Sequence, residues 1–273
     1  MLFHCNFFAF CEDFQSSPDA ARSRDGKKLA LTILVLLAAL PILYAEPDFK
    51  KTLKELDNLN NFGDKDFSAT YTIISEKPGE EPSATQAVMF RRDNKKQFAM
   101  IILKPAAKKG QGYLKMDDLV WFYDPESRKF SMSSLRENVQ GSDAKNSDLN
   151  RNTLSEDYEV DKWEEGTLGK YQVYILDLKA TNNEVSYPRQ KLWVSKENNI
   201  VLKSENYSLS NRLVRTSVYP KYTNLGGKLV PSVMIFVDEL KKGEQTKVTM
   251  EDASIAPLED YFFTKSYLER VNR

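Results

Sequence analysis

Histidine and cysteine are almost missing from this chain. Its 273 residues include one histidine, His4, and two cysteines, Cys5 and Cys11. All three lie upstream of an apolar run at residues 29–43, in a stretch that reads as a leader. With the leader removed, the working chain has neither residue type. That excludes Ser-His-Asp and Cys-His catalysis, thiol redox chemistry, structural disulfides and zinc sites built from Cys and His. Charge of one sign is also lacking: 39 basic side chains balance 39 acidic ones, so nothing draws the chain generally toward nucleic acid. No low-complexity tract or internal repeat is evident.

The apolar run Leu29 to Leu43 follows the basic pair Lys27-Lys28 and ends at Tyr44-Ala45. It is shorter than the roughly 20 residues that span a bilayer as a helix. Charged region, apolar region and small residue make a secretory signal peptide, with Pro41 ending its helix before a cut after Ala45. Leu43 is large where a small residue is preferred, which leaves an uncleaved membrane anchor as the alternative. Residues 1–26 read as an over-extended start. A lipid-attachment role for Cys11 is disfavoured by Phe10 beside it. The remaining residues, 46–273, suffice to bury a core without staples and are expected to form a single domain.

That domain reads as mainly β. A short helix opens it, with Phe49, Leu53, Leu56 and Leu59 on one side. Asn60-Asn61-Phe62-Gly63 stops the helix. Strand patterns then follow at residues 67–73, 85–91, 97–103, 112–116, 119–123, 129–133, 171–179, 187–195, 200–207, 213–219, 229–237 and 246–252. Turn signals separate them at Lys77-Pro78-Gly79, Asp93-Asn94, Asp117-Asp118, Glu197-Asn198-Asn199, Gly226-Gly227 and Lys242-Gly243. Regular short strands and tight turns imply an antiparallel sheet, sandwich or barrel. Residues 139–157 interrupt the pattern with polar sequence and helix-start signals at Asn146 to Leu149 and Thr153 to Glu156. Residues 260–271 suggest a last short helix carrying Phe263, Tyr267 and Leu268.

Several segments, taken in order, carry a resemblance. Lys104-Pro105 leads through Lys109-Gly110-Gln111-Gly112-Tyr113-Leu114 to Asp118-Leu119-Val120-Trp121-Phe122-Tyr123-Asp124-Pro125. Gly141-Ser142-Asp143 and Asp148-Leu149 come next, then Tyr187-Pro188, Leu192-Trp193-Val194, Phe263-Thr264 and Tyr267-Leu268. From about Phe49 onward the chain resembles the outer-membrane lipoprotein-sorting family, the LolA-like periplasmic carriers. It departs from the family pattern at Gln140 and Ala144, where Met and Phe are preferred. The resemblance implies an unclosed β-barrel: a strongly curved antiparallel sheet whose concave face is covered by short helices. It further implies a periplasmic monomer that shelters acyl chains of lipoproteins or related lipids for transfer toward the outer membrane. Partners would be an inner-membrane extraction transporter that loads it and an outer-membrane acceptor that unloads it. No cofactor is implied.

A lipid carrier needs a hollow lined by adaptable apolar side chains. Strand parity supplies the candidates. Phe98, Met100 and Ile102 share one face of their strand, Phe130 and Met132 share another, and Met234 with Phe236 and Val248 with Met250 pair likewise. Trp121-Phe122-Tyr123 could rim an entrance. Ordinary core packing explains the same pattern, and for Trp121 and Tyr123 it explains it equally well. Lys108-Lys109 reads as a solvated loop before it reads as a phosphate contact. Asp143, Asn146 and Asp148 lack calcium-loop spacing and suit a capped turn better, so no metal site is expected. No enzyme is expected either. Acidic pairs such as Glu164-Glu165 point to opposite faces of a strand, and Ser195-Lys196 and Lys203-Ser204 fail as dyads for the same reason. The competing non-catalytic reading is a lipid-sensing or adaptor module of the same fold, without transport.

Overall fold

A computed structural model describes residues 47–116, 119–183 and 185–271. The expected leader and signal peptide and the turn signal at Asp117-Asp118 lie outside these residues. Helix α1 (Phe49–Leu59) forms where the apolar spacing predicts it, and Phe49, Leu53 and Leu56 are buried. Asp48 caps it by accepting from the Lys51 amide at 3.0 Å, which satisfies one of the orphan donors of the first turn.

Thirteen strands follow. They are β1 (Asp66–Glu76), β2 (Ser83–Arg92), β3 (Gln97–Lys104), β4 (Gly112–Met116), β5 (Leu119–Asp124) and β6 (Lys129–Ser133). After a long connection come β7 (Tyr158–Leu168), β8 (Tyr171–Ala180), β9 (Arg189–Ser195), β10 (Val201–Tyr207), β11 (Leu213–Leu225), β12 (Lys228–Asp238) and β13 (Gln245–Ser254). All belong to one antiparallel sheet in the order β6-β5-β4-β3-β2-β1-β13-β12-β11-β10-β9-β8-β7. Each half is a meander of hairpins, and the two join where β1 pairs with β13, Tyr71 opposite Met250. β6 and β7 are the two edges and do not pair. The sheet is therefore curved and unclosed, as the resemblance implies.

Twelve of the strands fall where alternation marks them. β7 is given no bounds by the sequence pattern, although Glu164-Glu165 read as strand neighbours, and its composition explains why. Tyr158-Glu-Val-Asp-Lys-Trp-Glu-Glu-Gly-Thr-Leu168 is an edge strand, and most of its side chains are exposed. An edge with one ladder partner and little buried surface has no need of an apolar alternation, and charge there discourages pairing with other chains.

The topology forces one more feature. Leaving edge β6, the chain must reach edge β7, so residues 134–153 form a strap across the inner face. The short helix α2 (Leu154–Asp157) ends the crossing. On the strap, Val139, Ala144 and Leu149 are fully buried against Phe67, Met89, Met100, Phe236 and Val248 of the sheet. α1 covers the other half of that face, packing Phe49, Leu53 and Leu56 on Leu176, Leu178, Leu192 and Val194. On the outer face, α3 (Lys265–Arg270) buries Leu268 against Ala99, Ile101, Leu114 and Tyr123. Gly112 permits that approach, since a Cβ there would stand 2.7 Å from a Leu268 methyl.

Candidate functional site

The strap is tied to the sheet at three points. Arg91, on β2, is 1% exposed, and its guanidinium donates to the Asn60 carbonyl at 2.6 Å and the Leu149 carbonyl at 3.3 Å. Asp93 pairs with it, Oδ1 lying 2.7 Å from Nε, and the Phe67 ring lies beneath at 4.8 Å. One side chain thus joins the end of α1, the strap and the sheet. At the second point, Asp143 accepts from the Thr246 hydroxyl at 2.9 Å while its own amide donates to that oxygen. At the third, Asp148 receives Arg215 of β11 through both terminal nitrogens, at 3.1 and 2.6 Å.

Under α1 and the strap, above β9 to β12, lies a cavity of about 430 Å³. Its walls include Leu56 and Leu59 of α1, Leu135 of the strap, and Leu192, Val201 and Leu229 of the sheet. Its floor is polar. Ser204 and Asn206 project inward from β10, directly opposite Ser217 and Arg215 of β11. In register with Asn206, Gln190 of β9 also reaches the cavity. Ser204, Asn206, Arg215 and Ser217 are all buried. A polar row on the covered face of a sheet is costly unless each group finds a partner. It marks the place where the core opens.

Electrostatics follow burial and pairing. Burial acts to lower the Arg215 pKa, but Asp148 beside it outweighs this and raises it, so the guanidinium stays charged. Burial also raises the Tyr187 and Tyr219 hydroxyls above the usual tyrosine value. Lys145 on the strap is lowered by burial first and by the Arg215 charge second. Asp57, near the end of α1, is raised by burial although it accepts from the Leu154 and Ser155 amides at 2.8 Å each. Those two bonds cap α2 from a different helix, where sequence suggested Thr153 as the local cap.

The eleven candidate lining residues separate into two groups. Phe98, Met100, Ile102, Met234, Phe236, Val248 and Met250 gather on the inner face in one cluster. Phe98, Met100, Ile102, Phe236 and Val248 show no exposure at all. The strap's own side chains fill the space above them, so this part of the inner face is packed core and not a hollow. Only Met234 and Phe236 of the set reach the cavity. Trp121, Tyr123 and Phe130 lie on the outer face with Leu268, with the Lys265 ammonium 3.5 Å above the Trp121 ring. Met132 is 57% exposed on edge strand β6. An entrance rimmed by Trp121 and Tyr123 is thus corrected: odd positions of β5 face outward, while Val120 and Phe122 face in.

Sequence reasoning missed Arg91, Ser204, Asn206, Arg215 and Ser217. The signal was parity. Arg91 shares a face with Ala87 and Met89, and the four floor residues align with Leu192 once the strands are registered. Among the described residues, one carboxylate group has metal-compatible spacing, Asp143 with Asp238 and Glu244. Lys241 already pairs with Glu244 at 3.3 Å there.

Comparison with known proteins places this architecture. A family model described as "Uncharacterized protein" matches residues 94–270. No curated protein matches the chain. Among solved structures, a LolA superfamily protein from Nitrosomonas europaea is 26% identical, with a TM-score of 0.70 over 80% of this chain and 98% of that one. A protein from Vibrio parahaemolyticus described as an outer membrane lipoprotein-sorting protein domain is 21% identical, with a TM-score of 0.71 over 81% and 98%. A DUF1329 family protein from Desulfovibrio piger is 20% identical, with a TM-score of 0.71 over 80% and 97%. The last two likenesses speak for the fold. The chain belongs to the family that this model describes, and it is LolA-like, carrying the unclosed antiparallel sheet of the lipoprotein-sorting proteins.

Proposed function

We propose that this chain is a non-enzymatic periplasmic carrier. In this reading it shelters the acyl part of a lipid or lipoprotein between α1, the strap and β9 to β12. The observation that carries the proposal is the 430 Å³ cavity with leucines on its walls. It falls within the roughly 300–1,000 Å³ of pockets that enclose one small guest. Each methylene moved there from water contributes about 0.8 kcal/mol, so one long chain supplies enough free energy to hold a guest without any covalent step. The fold shared with the LolA superfamily protein supports the same assignment.

A carrier must also let go. Loading would come from an inner-membrane extraction transporter and unloading by an outer-membrane acceptor. Transfer requires the acceptor to bind the guest more tightly than this chain does. The three tethers of the strap set how readily the cavity opens.

The test is to produce the full chain in a lipid-containing host, purify it without detergent and extract it for mass spectrometry. The proposal expects about one acylated molecule per chain and its loss to acceptor-bearing membranes. Protein that stays empty contradicts sheltering. Loaded protein that never yields its guest contradicts transport and favours a sensor.

A further inference from the structure

The cavity has a distinct polar end, where Arg215 is paired with Asp148 and Lys145 stands nearby outside the lining. Arg215 is 5% exposed and lines the cavity. Its terminal nitrogens are engaged by Asp148, and Nη1 also donates to the Tyr187 hydroxyl at 3.3 Å. The guanidinium lies over the Phe236 ring at 4.0 Å, which fixes its plane. Its Nε–H is buried and has no acceptor. A buried donor on a cation left without a partner is rare and costly.

Lys145 adds a second cation. It precedes Asp148 by one turn of the strap, and its ammonium sits 5.8 Å from the Tyr187 ring. That ammonium donates to the Arg136 carbonyl at 2.8 Å and to Asn138 Oδ1 at 3.5 Å, both neutral oxygens. Asp148 already accepts from Arg215 and from the Lys145 amide at 2.6 Å. Arg215 and Lys145 therefore share one carboxylate, and a positive charge remains at a partly buried place. Burial first and the Arg215 charge second lower the Lys145 pKa, against the pull of Asp148.

We infer that the Arg215 end of the cavity receives an anionic group carried by the guest, a carboxylate or a phosphate, so that the ligand class is an acidic amphiphile. The head group lies against the Arg215–Asp148 pair that lines the cavity, and its charge offsets Lys145. The tail runs from there along Leu192, Val201, Leu229, Leu56 and Leu59. This inference rests on the acyl-sheltering reading above and names the chemistry of its guest.

The test displaces a fluorescent acyl probe from the full chain with three ligands of equal chain length: dodecanoate, dodecyl phosphate and dodecanol. Inorganic phosphate and acetate serve as heads without tails. The two acids are expected to bind about tenfold tighter than the alcohol, the size of a charge-assisted hydrogen bond in a shielded site, while the free anions do not compete. Arg215→Met should abolish the preference. Lys145→Met leaves the Arg215–Asp148 pair in place and so keeps the test valid if the first variant does not fold. It should lower the preference severalfold and leave dodecanol binding unchanged. Equal binding of acids and alcohol, or a Lys145→Met protein with full preference, overturns the inference and leaves the acyl reading standing. Displacement by phosphate alone as strong as by dodecyl phosphate overturns the amphiphile class. Failure of all three amphiphiles overturns both.

Discussion

Arg91 joins three parts of the chain through one buried guanidinium. Its partners are the Asn60 and Leu149 carbonyls and Asp93. Removing one side of a buried ion pair leaves the other charge without compensation, which costs about 3–5 kcal/mol. Arg91→Met should lower the unfolding free energy by that amount in urea titrations, with Asp93 stranded. A loss below about 1 kcal/mol would mean water reaches Asp93 and the site is less closed than its geometry indicates. A smaller effect belongs to Thr246, which is fully buried and bridges Asp143 and Ser75 at 2.9 and 3.0 Å. Thr246→Val should cost about 1–3 kcal/mol, the penalty of leaving buried partners unsatisfied. These roles were hidden in the sequence because Phe90-Arg91-Arg92 looks like the frayed polar end of a strand. Only parity with Ala87 and Met89 hints that Arg91 turns inward, and parity cannot name the Asn60 and Leu149 carbonyls, 31 and 58 positions away.

Helices α1 and α2 depend on each other through Asp57. Its carboxylate receives the Leu154 and Ser155 amides, the orphan donors of α2,. Burial raises its pKa, so the charge itself is not favourable there. Asp57→Ala should cost about 0.5–2 kcal/mol, as lost caps do, and Asp57→Asn less, because an acceptor remains and a buried charge goes. Hydrogen exchange at the Leu154 and Ser155 amides would report it. Exchange should speed up in the alanine variant and hold near the original rate in the asparagine one. Unchanged exchange in the alanine variant would remove Asp57 from the cap. Legibility at this scale follows burial. α1 and most of the twelve strands have one wetter and one dry face, which periodicity records, while β3 and β4 are dry on both and show as apolar runs. β7 has almost no dry face, and the strap has no period at all. Val139, Ala144 and Leu149 reach the core from irregular backbone, held by Asp143, Asp148 and Arg91.

The whole molecule responds to pH through carboxylates paired at the ends of its elements. Asp66 is held below its usual value chiefly by hydrogen bonds from Arg92, and Glu156 likewise by Arg151. A carboxylate with a depressed folded pKa binds its proton more weakly than in the unfolded chain. Its contribution is present above the unfolded value near 4 and is lost as pH falls through the folded one. The urea midpoint should therefore hold between pH 7 and 5 and drop below about pH 4. Asp66→Asn should lower stability at pH 7 and flatten that drop; an unaltered drop would assign it to other groups. An antiparallel β fold could be read from the strand pattern, and motif order carried the family resemblance; the curve and unclosed edges of the sheet followed only from what that resemblance implies. The cavity could not be read, because it lies where alternation is kept but polarity changes, at Ser204, Asn206, Arg215 and Ser217. The apolar face that looked like a lining is occupied by the chain's own strap.

The measurement closest to the central claim is saturation binding of a fluorescent acyl probe to the full chain and to a Ser217→Trp variant. Ser217 faces the cavity from the middle of its floor, so an indole there fills the space while the packed core beside it is untouched. Saturation near one probe per chain is expected, with a loss of about tenfold or more in affinity when Trp fills the floor. Probe binding that never saturates, or that is the same in both proteins, would contradict it.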